Sequence, residues 1–515
     1  MTADNKQTPS LAPPALETVE RSLTTPPSVL TDGTTYDPND PLMWSWKKKH
    51  LVLASVCYMT FMTDFLAGYG VPMIIPQAKE WKLTPADSTR SLSGNTFTQG
   101  FGSLMAVPFA GRFGTLPVMF WSTFMTFFMT IACALCPDDW IGFIAIRVVQ
   151  GFFSTAAQVL GMTVIQDIFF FEEHVRKLGI WGWSILIGPY FGPFLASFII
   201  STQRWRTAFW IVSAFVGLGL ILIIFLMDET SFDRTDHRNN PPRPETYWKH
   251  KVQTLSGVYG YRAQGKPTLL QGCLEIWKVF IPQDSVFILL YHTNSIVFYH
   301  GVTYMWSVGI NGSLVLFLVP PPPKGYGFNS VGIGLIYFAP MIGVVLGELW
   351  GHFFNDFIQS RSIRKNKGLF EPESRLWAIY FSTAFNAVGL GLLGIGLKNL
   401  WTWGIIALLW GAYIWSLMIS TVATSAYALD CFPGNSAAAS ALLNFTRVLH
   451  GFLVPFFQNK WANAVGANWS FGTQAIVCVL AFGIIPVVQR YGKRWREKSS
   501  LSPDFIIVTK AEQQT

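Results

Sequence analysis

The chain has 515 residues, 51% of them hydrophobic and only 13% charged, with a mean hydropathy of +0.35. A water-facing surface carries roughly 25% charged residues, so soluble enzymes, nucleic-acid-binding proteins and disordered scaffolds are excluded as readings of the whole chain. What remains is an integral membrane protein: a hydrocarbon layer about 30 Å thick takes roughly 20 apolar residues per helix, and this length holds about a dozen.

The first 45 residues are polar and rich in Pro, Ser and Thr. That is unlike a cleavable signal peptide, so the first span is expected to direct insertion. Apolar runs of spanning length follow at 51–75, 92–110, 116–136, 140–165, 178–200, 207–227, 285–309, 330–354, 376–397, 401–427, 436–457 and 469–489. These twelve runs predict an all-α membrane protein, and the polar stretch 228–284, with Pro241-Pro242-Arg243-Pro244, divides it into two six-helix bundles. The expected organisation is a disordered N-tail over 1–49, a bundle over 50–227, a linker over 228–284, a second bundle over 285–489 and a C-tail over 490–515. Inside the linker Leu269, Leu270, Cys273, Ile276, Trp277 and Phe280 recur at helical spacing, which fits either a short helix along the membrane surface or an ordinary loop turn.

Basic residues are distributed unevenly between the two sides of such a chain. With the N-terminus inside, 27 of the 37 Lys and Arg fall on the cytoplasmic side and 8 on the other, while Arg147 and Arg447 lie inside spans. Positive charge is retained in the cytoplasm, so both termini are expected there, in a multi-pass protein of the cell membrane. The sequons Asn311-Gly312-Ser313 and Asn468-Trp469-Ser470 then face outward as candidate glycosylation sites.

Some motifs are set aside on context. Cys133-Ala134-Leu135-Cys136 has metal-ligand spacing, but no second pair or histidine cluster accompanies it, so no metal site is expected. Gly389-Leu390-Gly391-Leu392-Leu393-Gly394 matches a dinucleotide fingerprint, yet it sits inside a span with no strand before it, and reads as packing glycine. Gly260 through Gly265-Lys266 resembles a phosphate loop until Pro267 replaces the metal-binding Ser or Thr. No nucleotide site and no enzyme site emerge, and the energy source expected is a proton gradient rather than a bound cofactor.

A different pattern is informative. Gly179, Gly188, Gly192-Pro193 and the small pair Ala196-Ser197 mark the fifth span, where small residues allow close helix approach and proline bends the helix. In span four Arg147 and Gln150, followed by Gly151, stand one turn apart, and a guanidinium in hydrocarbon is retained for pairing or function. With twelve spans in a six-plus-six arrangement, these features resemble the major facilitator superfamily. Asp37 through Ser45, Trp205-Arg206 with Phe209-Trp210, Glu229-Thr230, Glu371 through Leu376 and Asp430 through Arg447 look like its fungal drug:proton antiporter branch. Asp167-Ile168-Phe169 and Asp430-Cys431-Phe432, each ending a fourth span, fit a duplication in parallel orientation. One departure stands out: the loop after span two reads Gly111-Arg112-Phe113-Gly114-Thr115-Leu116, keeping Arg112 and Gly114 but not the family's acidic partner or later basic pair. The second-half counterpart, Glu348 through Asp356, is a candidate to share its gating task, with Asp430 beside it.

Transport needs a polar site near the bilayer midplane, and ionisable residues there are the candidates. Asp64 lies mid-run in span one, where a carboxyl facing a cavity can take up and release a proton. Glu348 lies toward the cytoplasmic end of span eight, in place for gating or helix packing. Span seven carries His292, Asn294, Tyr299, His300 and Tyr304, with His300 and Tyr304 one turn apart, and Arg447 occupies in span eleven a place comparable to Arg147. Arg147 is expected to meet a carboxylate or a substrate anion, or else to relay protons or pack.

The reading is therefore a monomeric alternating-access carrier in the lipid bilayer. The resemblance implies proton-coupled export of a small organic compound, a fungal secondary metabolite or a xenobiotic. One rival is a proton symporter importing a nutrient or an organic cation such as a polyamine. Another is a non-transporting receptor, which would be expected to carry a longer signalling extension.

Overall fold

The computed structural model describes residues 39–234, 239–242, 244, 246–280, 288–365, 371–431 and 436–497. Among the described residues six long helices precede the linker: α1 (Trp46–Tyr69), α2 (Arg90–Phe113), α3 (Thr115–Leu135), α4 (Trp140–Ser154 continuing as Ala156–Ile168), α5 (Phe171–Thr202) and α6 (Trp205–Leu226), with the short helices Ile74–Glu80 and Pro85–Ser88 between α1 and α2. Six follow it: α7 (Ile288–Leu318), α8 (Ser330–Ile336 continuing as Phe338–Lys365), α9 (Trp377–Lys398), α10 (Trp403–Cys431), α11 (Ser436–Val465) and α12 (Ala467–Phe482 continuing as Ile484–Glu497). Because each half makes an even number of crossings, the linker and both described ends share one face, here the linker face; the opposite side is the loop face.

Eleven helices among the described residues are long and apolar enough to cross a membrane, and α2 is the exception. It has 24 residues, but Ser91, Ser93, Asn95, Thr96, Gln99 and Ser103 lower its hydropathy, and all six are buried. A helix that turns polar side chains inward lines something wet rather than lipid. Its composition thus already marks the molecule's polar axis.

Lipid tails are as apolar as leucine, so helices in a bilayer associate through close backbone approach and hydrogen bonds rather than through hydrophobic burial. The glycines of α5 act this way. A Cβ at Gly188 would stand 2.7 Å from the Phe61 carbonyl oxygen, and one at Gly192 would stand 2.5 Å from that of Phe65, so α5 lies directly against the backbone of α1. The second half repeats the device: Gly343 and Gly347 of α8 meet the backbone of α10 at Gly411 and Trp415. Across the halves α2 lies along α11 and α5 along α8, and Ser103 donates to the Ala441 carbonyl at 3.3 Å.

The linker forms three helices, Tyr247–Leu255, Val258–Arg262 and Leu269–Phe280. The periodicity at Leu269 through Phe280 is therefore realised as a helix. It packs against both halves, with Gly272 against Pro108 of α2 and Ile276 clustered with Ala438, Ala439 and Leu442 of α11. Between α2 and α3, Gly114 adopts a φ of +104°, and its neighbour contact is the Glu229 carboxylate, 2.5 Å from where a Cβ would stand. That carboxylate accepts from the N–H groups of Thr115 (2.9 Å) and Leu116 (3.2 Å), capping the positive end of α3. Arg112, without the acidic neighbour of the family pattern, stacks on Tyr261 at 4.5 Å and forms no ion pair among the described residues.

The sequon reading is corrected at Asn311. Its side chain is buried within α7 and hydrogen-bonded at both ends, so it is not displayed to a glycosylating enzyme. Asn468 stands in the first turn of α12, with the Ser470 of its sequon buried. Endoglycosidase treatment is accordingly expected to leave the gel mobility of the full chain unchanged; a faster band would contradict the placement. A second expectation concerns the glycines. Gly192→Val, which drives a branched side chain into the α1 backbone, should destabilise by about 1–3 kcal/mol or more. Gly182→Ala, at an α5 position with nothing within 4 Å, should leave the melting temperature in detergent essentially unmoved.

Candidate functional site

Where α1, α4, α7 and α11 converge, two charges meet inside the protein. Asp64 of α1 and Arg447 of α11 are each 4% exposed, and Arg447 Nη2 donates to both carboxylate oxygens, at 3.0 and 3.2 Å. Among the described residues this is the one ion pair joining a helix of the first half to a helix of the second. Transfer of a lone charge out of water is prohibitive, so each group is tenable here only because of the other and of the bonds around them.

Those bonds are supplied on every side. Gln158 Nε2 of α4 donates to Asp64 Oδ2 at 2.8 Å. Arg447 also donates to the Tyr304 hydroxyl (3.2 Å) and to Asn444 Oδ1 (2.8 Å), one turn earlier on α11. Asn444 Nδ2 in turn donates to Thr155 Oγ1 (3.1 Å), where α4 is interrupted, giving a second, uncharged tie between the halves. His300 lies one turn below Tyr304 toward the linker face, its ring 5.6 Å from the Tyr304 ring and its Nδ1 3.3 Å from the Thr424 hydroxyl of α10. The structure thus brings Asp64, His300, Tyr304 and Arg447 together.

On the loop-face side of the ion pair lies a cavity of about 60 Å³, walled by α1, α2, α5, α7 and α11. That is room for about two water molecules, against the roughly 300–1,000 Å³ of a site for a drug-sized ligand, so a ligand of that size fits only if the walls move apart. One wall is polar, with Ser93, Thr96 and Gln99 of α2, and the facing wall is apolar, with Val448, Phe452 and Pro455 of α11. Ser93 Oγ and Gln99 Oε1 are buried without a hydrogen-bond partner among the described residues, which leaves them available to cargo.

Two tyrosine-scale bridges close the cavity toward α5. Tyr190 and Ser307 hydroxyls meet at 2.6 Å, and Asn311 Nδ2 donates to the Pro189 carbonyl at 3.0 Å while its Oδ1 accepts from Tyr337 at 2.9 Å. The cause is in the sequence: Pro193 has no N–H, so the carbonyl four residues earlier loses its helical donor, and Asn311 replaces it from the other half.

Arg147 and Gln150 are placed elsewhere. Both are buried inside the first half, where Arg147 donates to Gln150 Oε1 (2.5 Å) and to the Leu66 carbonyl (3.2 Å), and Gln150 donates to Thr130 (2.6 Å). No carboxylate pairs with Arg147 among the described residues, and the reason is local: α1 breaks after Tyr69, the Gly70 N–H turns back to Gly68, and the Leu66 carbonyl is left for the guanidinium. Glu348 lies against Gly179 of α5 with its Oε2 buried and unpartnered among the described residues. Asp430 pairs with Arg375 at 2.5 Å, tying the end of α10 to the turn before α9. The side chains of Asp356, His292 and Asn294 lie outside the described residues. Gln158, Thr155 and Asn444 were not singled out by sequence. Polar residues within otherwise apolar runs were the available signal, and Asn444–Arg447 repeats in α11 the three-residue spacing of Arg147–Gln150 in α4.

Comparison with known proteins gives the same architecture. A family profile described as Major Facilitator Superfamily matches residues 56–455. The chain is 24% identical to the efflux pump radE of Floropilus chiversii, covering 89% of this chain and 83% of that one, and 23% identical to the multidrug transporter FLR2 of Candida glabrata, covering 91% and 78%. Its fold superimposes on the crystal structure of the human organic anion transporter MFSD10 with a TM-score of 0.57 at 14% identity, covering 85% of this chain and 99% of that one. Twelve helices in two halves about a central polar site, matched along most of their length by this profile, establish that the chain belongs to the Major Facilitator Superfamily of membrane transporters.

Proposed function

We propose that the protein exports a small organic compound, a fungal metabolite or xenobiotic, in exchange for protons, and works as a monomer in the cell membrane with both termini in the cytoplasm. The observation that carries the reading is the buried Asp64–Arg447 pair between the halves, at the floor of the cavity. Similarity to proteins named as an efflux pump and a multidrug transporter supports the outward direction. The proton gradient is the energy source, and no cofactor is invoked.

The step is a competition for one carboxylate. A proton arriving from the loop face through the cavity neutralises Asp64, the Coulomb attraction to Arg447 is lost, and the halves are free to part on the linker side. Release of that proton to the cytoplasm restores the charge, and re-forming the pair draws α1 and α11 together again, now with cargo enclosed. Ser93 and Gln99 offer the cargo hydrogen bonds, and Val448, Phe452 and Pro455 offer an apolar face. Tyr304 and Asn444 hold the Arg447 guanidinium in place while its partner is neutral.

Proteoliposomes test direction and coupling together. With a panel of fluorescent xenobiotics, inside-acid vesicles should accumulate the transported compound and lose protons, whereas a symporter would accumulate it in inside-alkaline vesicles. Asp64→Asn should abolish gradient-driven accumulation while passive exchange of the compound persists; flux that survives undiminished contradicts the proposal. Stability gives an independent check. Arg447→Gln alone strands a buried charge and should cost about 3–5 kcal/mol, and adding Asp64→Asn should recover a large part of it. Additive losses in the melting temperature would show that the two groups are not coupled.

A further inference from the structure

The linker face carries a second feature, away from the transport path. α1 opens with Trp46-Lys47-Lys48-Lys49-His50, with no acidic residue in its first turn and no side-chain cap on its free N–H groups. Cations at the positive end of a helix dipole are unfavourable unless an anion answers them. Lys48 has one, Asp228 at 2.5 Å, and Lys49 is buried with its ammonium 4.8 Å from the Phe170 ring. Lys47 is exposed and has no carboxylate partner among the described residues, and the same is true of Arg176 near the start of α5.

Lys177, beside Arg176 in α5, reaches across to the first turn of α1, where Lys47 stands. Its Nζ is 2.9 Å from His50 Nε2 and 5.0 Å from the Phe169 ring. An ammonium only donates, so His50 Nε2 accepts and its Nδ1 hydrogen serves the Trp46 carbonyl at 2.8 Å. Lys177 is therefore matched to an uncharged acceptor and an aromatic face, not to a carboxylate. The acidic groups on this stretch are Glu172 and Glu173, one turn earlier on α5. Beside the cations stands an exposed apolar lip: Trp46 is 58%, Ile180 47% and Trp183 36% exposed, and Trp46, opening α1, is of the residue type enriched at the level of lipid headgroups.

We propose that Lys47, Arg176 and Lys177, with the Trp46 ring, form a binding site for the headgroup of an anionic phospholipid. The phosphate answers three cations that form no ion pair with a carboxylate among the described residues, together with the open helix end, and the acyl chains lie along Ile180 and Trp183 on the outer surface of α5. Basic pockets between membrane helices on the side rich in positive loops have this chemistry. The site lies at the linker-face ends of the two helices that the Gly188 and Gly192 contacts press together further along.

The test uses the full chain purified in detergent and titrated with dioctanoyl phosphatidylglycerol, dioctanoyl phosphatidylserine and dioctanoyl phosphatidylcholine, read by native mass spectrometry and by melting temperature. The two anionic lipids should remain bound and raise the melting temperature, phosphatidylcholine should do neither, and added salt should weaken the effect. Lys47→Gln, at an exposed position, should lower the apparent affinity about fivefold and the further change Lys177→Gln about fivefold again. Lys177→Arg should restore binding, which separates loss of charge from loss of fold. Equal binding of phosphatidylcholine, or affinities unchanged in the Gln variants, would overturn the proposal. So would full displacement of the lipid by millimolar inorganic phosphate, which would make this a free-anion site.

Discussion

The arrangement of this transporter depends on one contact, the buried pair between Asp64 and Arg447. Alone, either charge would be too costly to bury; together, with Gln158, Tyr304 and Asn444 taking up the remaining lone pairs and N–H groups, they form a locally neutral unit. Because one member stands on α1 and the other on α11, the unit is also a mechanical joint between the halves. The cavity above it and the closed packing of α2 on α11 below it take their separation from that joint.

The halves also meet through apolar packing, with the Phe97 ring 4.7 Å from that of Phe452 and the Phe194 ring 4.8 Å from that of Phe338, so the joint is the charged element of a packed interface. Within each half, glycines bring backbones into contact, as at Gly188 and Gly192 against α1 and at Gly343 and Gly347 against α10, so each half moves as a packed body. Between halves the uncharged polar ties are single hydrogen bonds: Asn444 to Thr155, Ser103 to the Ala441 carbonyl, Tyr190 with Ser307 and Asn311 to the Pro189 carbonyl. Each net contribution is of order 1 kcal/mol, small enough to exchange for water when a face opens.

Much of this was legible in the sequence, and the gaps have physical causes. Hydropathy locates the spans because the bilayer demands about 20 apolar residues of each, and α2, expected at 92–110, is the least apolar of them because it turns a polar face inward. The α5 glycines predicted close approach, and the backbone of α1 is what they approach. Asp64 and Arg447 each stood out as a charge in hydrocarbon, but 383 residues separate them in the chain, and no spacing rule links a pair set by tertiary packing. Arg147 drew attention on the same grounds as Arg447, yet its partner is a backbone carbonyl freed by a helix break, which side-chain chemistry alone does not announce. Asn311 looked like a sugar acceptor in a linear reading; its role follows from the missing N–H of Pro193, more than a hundred residues away.

An apolar contact of the same volume between α1 and α11 would hold the halves as well as the ion pair does, because desolvation offsets much of the Coulomb attraction. Stability therefore gives no reason to place charges there. In the proposed exchange cycle a pair of charges adds sensitivity: a hydrophobic contact is indifferent to protons, whereas neutralising Asp64 would remove the attraction and leave Arg447 uncompensated, a change of several kcal/mol in the balance between conformations. The Thr155–Asn444 bond one layer below carries no charge and is untouched by that step. A titratable joint beside an uncharged one would order the motion of that proposed cycle, the halves loosening at the proton site first and the linker side parting only when the weaker tie also yields.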